Sequence, residues 1–389
     1  MKILAISPRI PADSKKGDQV LSFHRLAYLA RSHEIKIICF GHTEDDLAAK
    51  HRLEALGISV QMFRWSKLVA GLNVLRSLFD TGTPFQCALF RAKNFRYAVA
   101  VALSQFQPNV VYGVTIRSLG NLAGYRGPLV VDMVDSMGLN FSRRVEKARG
   151  LKRFVLNIEY ERVKEYEKHV AKIALRSFVV SRIDQKVIGN EKVGVIPLGI
   201  NAEHFFKKSE MRPEPIILFT GNMNYKANSE AVLWFYRNCW VNLRKLIPNV
   251  RLVIAGANPT SDVVSLRADS SVSVTGRVAS LASIINTAQV SIAPMQSGSG
   301  MQFKILEAMA CGVPVVATTL GLGDIGAVVG QDILLEDTPE LFTEAVVSLL
   351  KSEELRAKVG DSGMRYVTQN HSWDALNGHF EQVVIGELC

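Results

Sequence analysis

Short apolar runs recur along the chain, each followed by a stretch with helical spacing. In the first half they are KILAIS (2–7), EIKIICF (34–40), ISVQMF (58–63), NVVYG (109–113), PLVVDMVD (128–135) and RSFVVS (176–181). Helical patterns lie between them, among them one from about Asp18 to Arg31 and one at about 45–56. Apolar strands alternating with helices predict a parallel sheet covered on both faces. The rhythm pauses at VGVIPLGINAEHF (193–205), where Pro197 and Gly199 precede the polar KKSEMRPEP. It then restarts with PIILFTG (215–221), a long helix to about Leu246, VRLVIAG (250–256), SVSVTG (271–276), QVSIAPM (289–295) and VPVVAT (313–318). The pattern predicts two doubly wound α/β domains facing across a cleft, residues 1–196 and 197–370. The amphipathic segment 371–389 is expected to cross back onto the first.

Composition narrows this picture only a little. The 389 residues suit two domains, and 48% apolar with 21% charged residues is the balance of a folded globular chain. The five cysteines (Cys39, Cys87, Cys239, Cys311, Cys389) are scattered without metal-type spacing, which predicts a reducing cytoplasm and neither a disulfide framework nor a zinc site. The start, MKILAISPRIP, is too short an apolar run for a signal peptide, and no 18-residue apolar window exists. The expectation is a cytoplasmic protein, soluble or held to the inner face of a membrane from the side.

Charge changes the picture more. Residues 1–200 carry 31 Lys/Arg against 17 Asp/Glu, whereas residues 201–389 carry 15 against 19. Such a split points to a polyanion or an anionic membrane surface met by the first half. FRWSKLVAGLNVLRSLF (63–79) and FRAKNFRYAVAVAL (90–103) interleave Lys/Arg with Phe, Trp and Leu at helical spacing, and SRRVEKARGLKR (142–153) adds a basic cluster. They read either as a basic amphipathic surface for anionic lipid or as ordinary cationic helices packing one face into the core. No nucleic-acid motif accompanies the charge, so no nucleic-acid partner is expected.

The chemistry concentrates in SGSGMQFKILEAMACGVPVVAT (297–318). A strand ends, glycines follow, and a helix is expected over about Met301–Cys311, closed by Gly312. Glycines before a helix N-terminus admit an anion to backbone N–H groups. Lys304 in the first turn calls for something negative opposite, and a phosphate would supply it. Glu307 lies one turn further on the same face, where its carboxylate can accept two hydrogen bonds from a ribose diol. The same two residues would equally form a surface pair beside a glycine turn.

This stretch resembles the donor-binding signature of family 4 (group 1) retaining glycosyltransferases. LFTGNMNYKANSEAVLWF, VRLVIAGANP, VSVTGRV, VVSRIDQKVI…VGVIPLGINAEHF and the terminal HSW helix are similar in the same order, so the resemblance spans nearly the whole chain. It implies the GT-B fold of two Rossmann-like domains, and a nucleotide-diphosphate sugar as substrate with no further cofactor and no metal. The basic first domain suggests a lipid-linked or otherwise anionic glycan acceptor at the inner membrane face, as in bacterial surface polysaccharide assembly. Glu307 matches the second glutamate of the family's E-x7-E motif; the first would fall at Ser299, so the motif is incomplete. The resemblance assigns Gly298, Ser299, Gly300, Met301, Lys304 and Glu307 to the donor, with Arg277 and Val278 after SVSVTG. Gly221 and Asn222 join them, although Asn222 stands where the family has arginine. Lys226, one residue short of the family's lysine, is expected to touch phosphate or else to be a solvated lysine at a helix start.

In the first domain, SPRIPADSKKGDQVLSFHRLA resembles the family's strand, glycine loop and helix. Gly17 would approach the donor phosphate, Asp18 would cap the helix, and Arg9 sits at the strand end either near phosphate or as a surface residue. Asp132 and Asp135 close a strand on opposite faces and so do not form a pair. Asp135 is taken as a catalytic residue with Lys304, orienting the acceptor hydroxyl, with capping of the next helix as its other use. The family's histidine near this strand end has no counterpart. The departures leave two further readings open, a non-catalytic GT-B binding subunit and a nucleotide-sugar 2-epimerase-like enzyme.

Overall fold

The structure, a computed structural model, describes every residue except 14–16, 81, 123, 147, 202–203, 209–213, 298–300 and 389. The chain divides into two compact units, Met1–Leu198 with Leu376–Cys389, and Gly199–Ala375.

The first unit is built on β1 (Lys2–Ser7), β2 (Glu34–Phe40), β3 (Ser59–Phe63), β4 (Val110–Val114), β5 (Leu129–Val134), β6 (Arg176–Val179) and β7 (Val193–Val195). Their order is β3-β2-β1-β4-β5-β6-β7, every pair parallel. Alternation along each strand feeds two cores. On β1, Leu4 and Ile6 enter one cluster with Val111 and Val131, while Ile3 and Ala5 enter the other with Ile37 and Val130.

The second unit repeats the plan with β8 (Ile216–Thr220), β9 (Arg251–Ala255), β10 (Val272–Gly276), β11 (Val290–Ala293), β12 (Val315–Ala317) and β13 (Leu334–Leu335). The order is β10-β9-β8-β11-β12-β13, again all parallel. Ile217 and Phe219 face one core and Leu218 the other. Both sheets are thus doubly wound, with the strand order reversing beside β1 and beside β8.

Two features hold the first unit's carboxyl edge in place. The fully buried Arg25, on helix Gly17–Leu29, pairs with the equally buried Asp132 of β5. Tyr112 of β4 donates to the same carboxylate at 3.1 Å, Arg25 Nε reaches Asn377 Oδ1 at 3.4 Å, and the guanidinium stacks 4.2 Å from the Phe380 ring. One guanidinium therefore joins a helix, the sheet and the C-terminal helix Trp373–Leu388, whose Phe380 and Val384 fill the core. The second feature is the long helix Gly150–Ile173, which supplies two buried carboxylates as caps. Glu159 accepts from the Phe85 and Gln86 N–H groups at 2.8 and 2.9 Å. Glu167 accepts from Ser136 Oγ and the Met137 N–H at 3.0 and 2.6 Å, and burial pushes its pKa up to about 7.

No helix among the described residues is long and apolar enough to cross a membrane. The four described cysteines are buried and free, and burial pushes the Cys39 and Cys87 thiols up.

Removing one half of a buried ion pair leaves the other charge uncompensated. Asp132→Ala is expected to destabilise the protein by about 3–5 kcal/mol in chemical denaturation, and Arg25→Met added to it should recover much of that loss.

Candidate functional site

Open parallel sheets bind ligands at the carboxyl edge where strand order reverses. In the second unit that point lies between β8 and β11. The turn after β8 is tightly packed: a Cβ at Gly221 would lie 2.7 Å from the Asn228 amide nitrogen, and one at Gly256 would strike the Gly221 carbonyl. Only glycine lets the loops after β8 and β9 approach this closely. Gly221 N–H to Ala255 C=O at 3.0 Å and Met223 N–H to Ala257 C=O at 2.9 Å tie them together.

Two helices open at this edge, Lys226–Phe235 after β8 and Phe303–Ala310 after β11. The second begins two residues later than its sequence pattern predicts. No side chain caps either one, their N-caps being Tyr225 and Gln302, so the N-terminal peptide dipoles are left for a ligand. Lys304 sits in the first turn of the second helix and is buried, 7% exposed. That overturns the surface-pair reading of Lys304 and Glu307. Its ammonium donates to Asn228 Oδ1 at 3.0 Å and Gln302 Oε1 at 2.7 Å, lies 3.9 Å from Met295 Sδ and 5.4 Å from the Phe219 ring centre. Asn228 in turn donates its amide to the Asn222 carbonyl at 2.9 Å, so one side chain couples the loop after β8 to the lysine.

Among the described residues no carboxylate forms an ion pair with this ammonium. Burial lowers the Lys304 pKa to about 8, with Glu307 opposing through space. Glu307, partly buried one turn on, is raised to about 7 by the same desolvation, with Lys304 opposing. Its carboxylate has no hydrogen-bond donor among the described residues. The edge thus offers one ammonium whose third proton meets only the weak thioether acceptor of Met295, two helix N-termini and a carboxylate with no hydrogen-bond donor among the described residues. This set can hold a diphosphate and a vicinal diol.

The remaining predicted residues fall less centrally. Lys226 is 87% exposed and bridges to Glu230 at 3.2 Å. Glu230 also accepts from Ser297 Oγ, which ties the loop after β11 to this helix. Asn222 Oδ1 accepts from the Asn224 N–H at 3.1 Å, stiffening its own turn. Met301 is partly buried against the core around Ile305. Arg277 is exposed and Val278 partly buried past the end of β10, the sheet's outermost strand, two strand spacings or about 10 Å from β8. Gly298, Ser299 and Gly300 lie outside the described residues. Sequence reasoning missed Asn228 and Gln302, the two side chains that hold Lys304. The signal was an asparagine in the first turn of a helix without a capping role, where asparagine is a poor helix former.

The first unit gathers a second polar group at its own carboxyl edge. Arg9, past β1, pairs with Asp18 at 3.1 Å. Asp18 is the second residue of helix Gly17–Leu29 and its carboxylate is turned to Arg9, so it is not the N-cap the sequence suggested. A Cβ at Gly17 would meet nothing within 4 Å. After β4, Thr115 adopts φ +55° with its hydroxyl buried, and neither that hydroxyl nor the buried Arg117 Nε has a hydrogen-bond partner among the described residues. Burial lowers the Arg117 pKa, helped by Arg9 and opposed by Asp18 and Asp135, which places these four charges together. After β5, Val134 takes φ +69° and the Asp135 N–H donates to the Met133 carbonyl at 2.9 Å. A β-branched residue in that region is strained, and the tight turn it makes throws Asp135 outward. Asp135 is exposed and accepts from the Asn140 amide at 2.7 Å; Asp132, three residues earlier, is locked in the core by Arg25. The two do not pair. Thr115 and Arg117 carried no signal in the sequence beyond following a strand.

Residues 214–352 match the family model described as "Glycosyl transferases group 1". The chain is 20% identical to an "Uncharacterized 44.6 kDa protein in cps region" of Klebsiella pneumoniae, over 95% of this chain and 96% of that one. Glycosyltransferase 1 domain-containing protein 1 of Xenopus tropicalis is 32% identical over 87 residues, 22% of this chain and 25% of its own. Among solved structures, Anabaena Alr3699/HepE in complex with UDP superposes with a TM-score of 0.71 at 14% identity, over 99% of this chain and 100% of that one. The same protein has been solved with UDP-glucose (TM-score 0.65, 15% identity, 99% and 100% covered). A glycosyltransferase of Rickettsia africae gives a TM-score of 0.69 at 13% identity, over 100% and 98%. These likenesses establish the fold, two Rossmann-like domains of the GT-B type.

A lysine whose folded pKa is depressed destabilises the native state fully below about pH 8, and that cost is relieved as pH rises toward 10.5, the unfolded value. Wild type should therefore gain roughly 2 kcal/mol on Lys304→Met between pH 7.5 and 9.5 in chemical denaturation. At neutral pH the variant should melt no lower than wild type.

Proposed function

We propose, taking the group 1 glycosyl transferase domain at residues 214–352 as the premise, that this protein moves a sugar from a nucleotide-diphosphate sugar to a glycan or lipid-linked saccharide, retaining the anomeric configuration. The observation that carries the donor is Lys304: a buried ammonium at the β8/β11 reversal, held by two amide oxygens and in no ion pair with a carboxylate among the described residues. Such a group is costly unless an anion joins it, and a diphosphate is an anion of the right charge at the right edge. The UDP and UDP-glucose complexes of the structurally similar HepE support a nucleotide sugar in this role.

In the reaction, the bond between the anomeric carbon and the diphosphate oxygen breaks and the nucleoside diphosphate leaves with the electron pair. The acceptor oxygen bonds to the anomeric carbon on the same face, its proton passing to the departing diphosphate. The Lys304 proton now given to the weak Met295 thioether acceptor, and the N-termini of helices Lys226–Phe235 and Phe303–Ala310, meet the charge that develops on it, without a metal. Glu307 accepts hydrogen bonds from the ribose hydroxyls and fixes the nucleoside. Lys226, held by Glu230 at the helix start, is a second phosphate contact. In the first unit, Asp135 orients the acceptor hydroxyl, while Arg9, Arg117 and the Thr115 hydroxyl hold its polar groups. The relative in a cps region supports a place in surface polysaccharide biosynthesis, with the acceptor presented at the cytoplasmic face of the cell membrane.

The test begins with a screen of nucleotide sugars for protection against thermal unfolding, since a bound donor raises stability by mass action. The donor found is then incubated with and without candidate acceptors, and the anomeric configuration of the product is read by NMR. Transfer with retention supports the proposal; an epimerised sugar formed from donor alone, or binding without any product, contradicts it. Nucleoside diphosphate affinity, measured by calorimetry, should peak between about pH 7 and 8, falling above as Lys304 loses its proton and below as Glu307 gains one. Lys304→Met should weaken binding by roughly 100-fold and Glu307→Ala by roughly tenfold.

A further inference from the structure

A helix that packs on a core turns its large apolar side chains inward. The helix Lys67–Ser77 does the reverse. It buries only Ala70 and Ser77, while Leu68, Leu72 and Leu75 stand 83, 55 and 59% exposed, with Phe79 93% exposed just past its end. The spacing of four, three and four residues sets all of them on one face. The first turns of helix Gly150–Ile173 repeat the arrangement, with Leu151 78% and Phe154 63% exposed. Arg162 of that helix donates to the Ser77 carbonyl at 2.7 Å, so the two helices meet in the first unit, with Phe154 two turns, about 12 Å, before the contact.

The charges around this surface share one sign. Arg64, Lys67 and Arg76 are exposed on the first segment and Arg149, Lys152 and Arg153 on the second, with no acidic residue between positions 64 and 79 or between 149 and 158. Behind the first helix lies an open cavity of about 840 Å³ whose lining includes Arg64, Arg76, Arg91, Lys93 and Arg96, against the single carboxylate Asp80, which is itself 3.5 Å from Arg91. The helix Lys93–Gln105, by contrast, buries Phe95, Ala98, Val99 and Ala102 and presents mainly Tyr97 and its cations outward. Its apolar face is ordinary core.

We propose that helix Lys67–Ser77, with Leu151 and Phe154, is an in-plane docking surface for a bilayer containing anionic lipid. The leucines and Phe79 enter the acyl boundary, the flanking Lys and Arg side chains reach the phosphates, and the cavity behind the helix receives an anionic headgroup. A second copy of this chain is the poorer occupant, because like-charged rims would face each other across a two-fold contact. The proposal rests on this surface and not on the donor chemistry, so its failure leaves the glycosyltransferase reading standing.

The test is flotation of the full chain with phosphatidylcholine vesicles, with and without phosphatidylglycerol. Wild type should float with the anionic vesicles at low salt and release at high salt. Leu72→Ser/Leu75→Ser/Phe79→Ser should lose partitioning by roughly tenfold or more with the melting temperature kept, since the replaced side chains are exposed. Lys152→Glu/Arg153→Glu should weaken it independently and guards against a misfolded triple variant. Absence of wild-type binding to anionic vesicles would overturn the proposal. So would a lipid-free dimer, seen by light scattering, that the serine variant dissolves.

Discussion

An ammonium group held out of water must find its energy somewhere, and at Lys304 the protein supplies only two amide oxygens. Asn228 and Gln302 take two of its three protons with strong acceptors, the Met295 thioether takes the third weakly, the Phe219 ring lies alongside, and Glu307 acts through space. Much of the second unit's carboxyl edge is arranged around this one group. Gly221 has no side chain because Asn228 needs the space, and Gly256 has none because Gly221 does. The helix carrying Lys304 starts without a cap, at the point where strand order reverses. A site built in this way is unfavourable when empty and favourable once an anion arrives, which is the trade between stability and activity expected at a binding centre.

The first unit solves its electrostatics differently. Arg25 and Asp132 are fully buried but matched, and they bind sheet, helix and C-terminal helix into one piece. Glu159 and Glu167 fill helix N-termini from within. Among the described residues without a hydrogen-bond partner, the Thr115 hydroxyl and Arg117 Nε sit at the strand ends, beside two backbone turns at positive φ, while Arg25 Nη2, Arg91 Nε, Arg176 Nε and Ser177 Oγ lie elsewhere in the unit. At the strand ends, strain and unpaired polar atoms coincide.

The sheets were legible in the sequence because parallel strands buried on both faces leave continuous apolar runs, and every such run became a strand. β7 and β13 were not, since edge strands of three and two residues leave too short a run to stand out. At the site, the glycines, Lys304 and Glu307 could be picked out by order and spacing. Their burial could not: a lysine near a helix start reads as solvent-facing, and only the tertiary approach of Asn228, 76 residues away, encloses it. The same blindness made Asp18 look like a cap until Arg9 claimed its carboxylate. It also let two basic amphipathic segments look alike, although one turns its apolar face to the core and the other turns it to solvent.

The protonation of Lys304 tests the account most directly. Its Nζ can be titrated by NMR on selectively labelled protein, alone and with the nucleoside diphosphate of the donor that stabilises the fold. A pKa near 8 is expected in the free protein, moving up toward an ordinary lysine's value once the diphosphate is bound. An ordinary value in the free protein, or a depressed one that the diphosphate leaves unchanged, would contradict it.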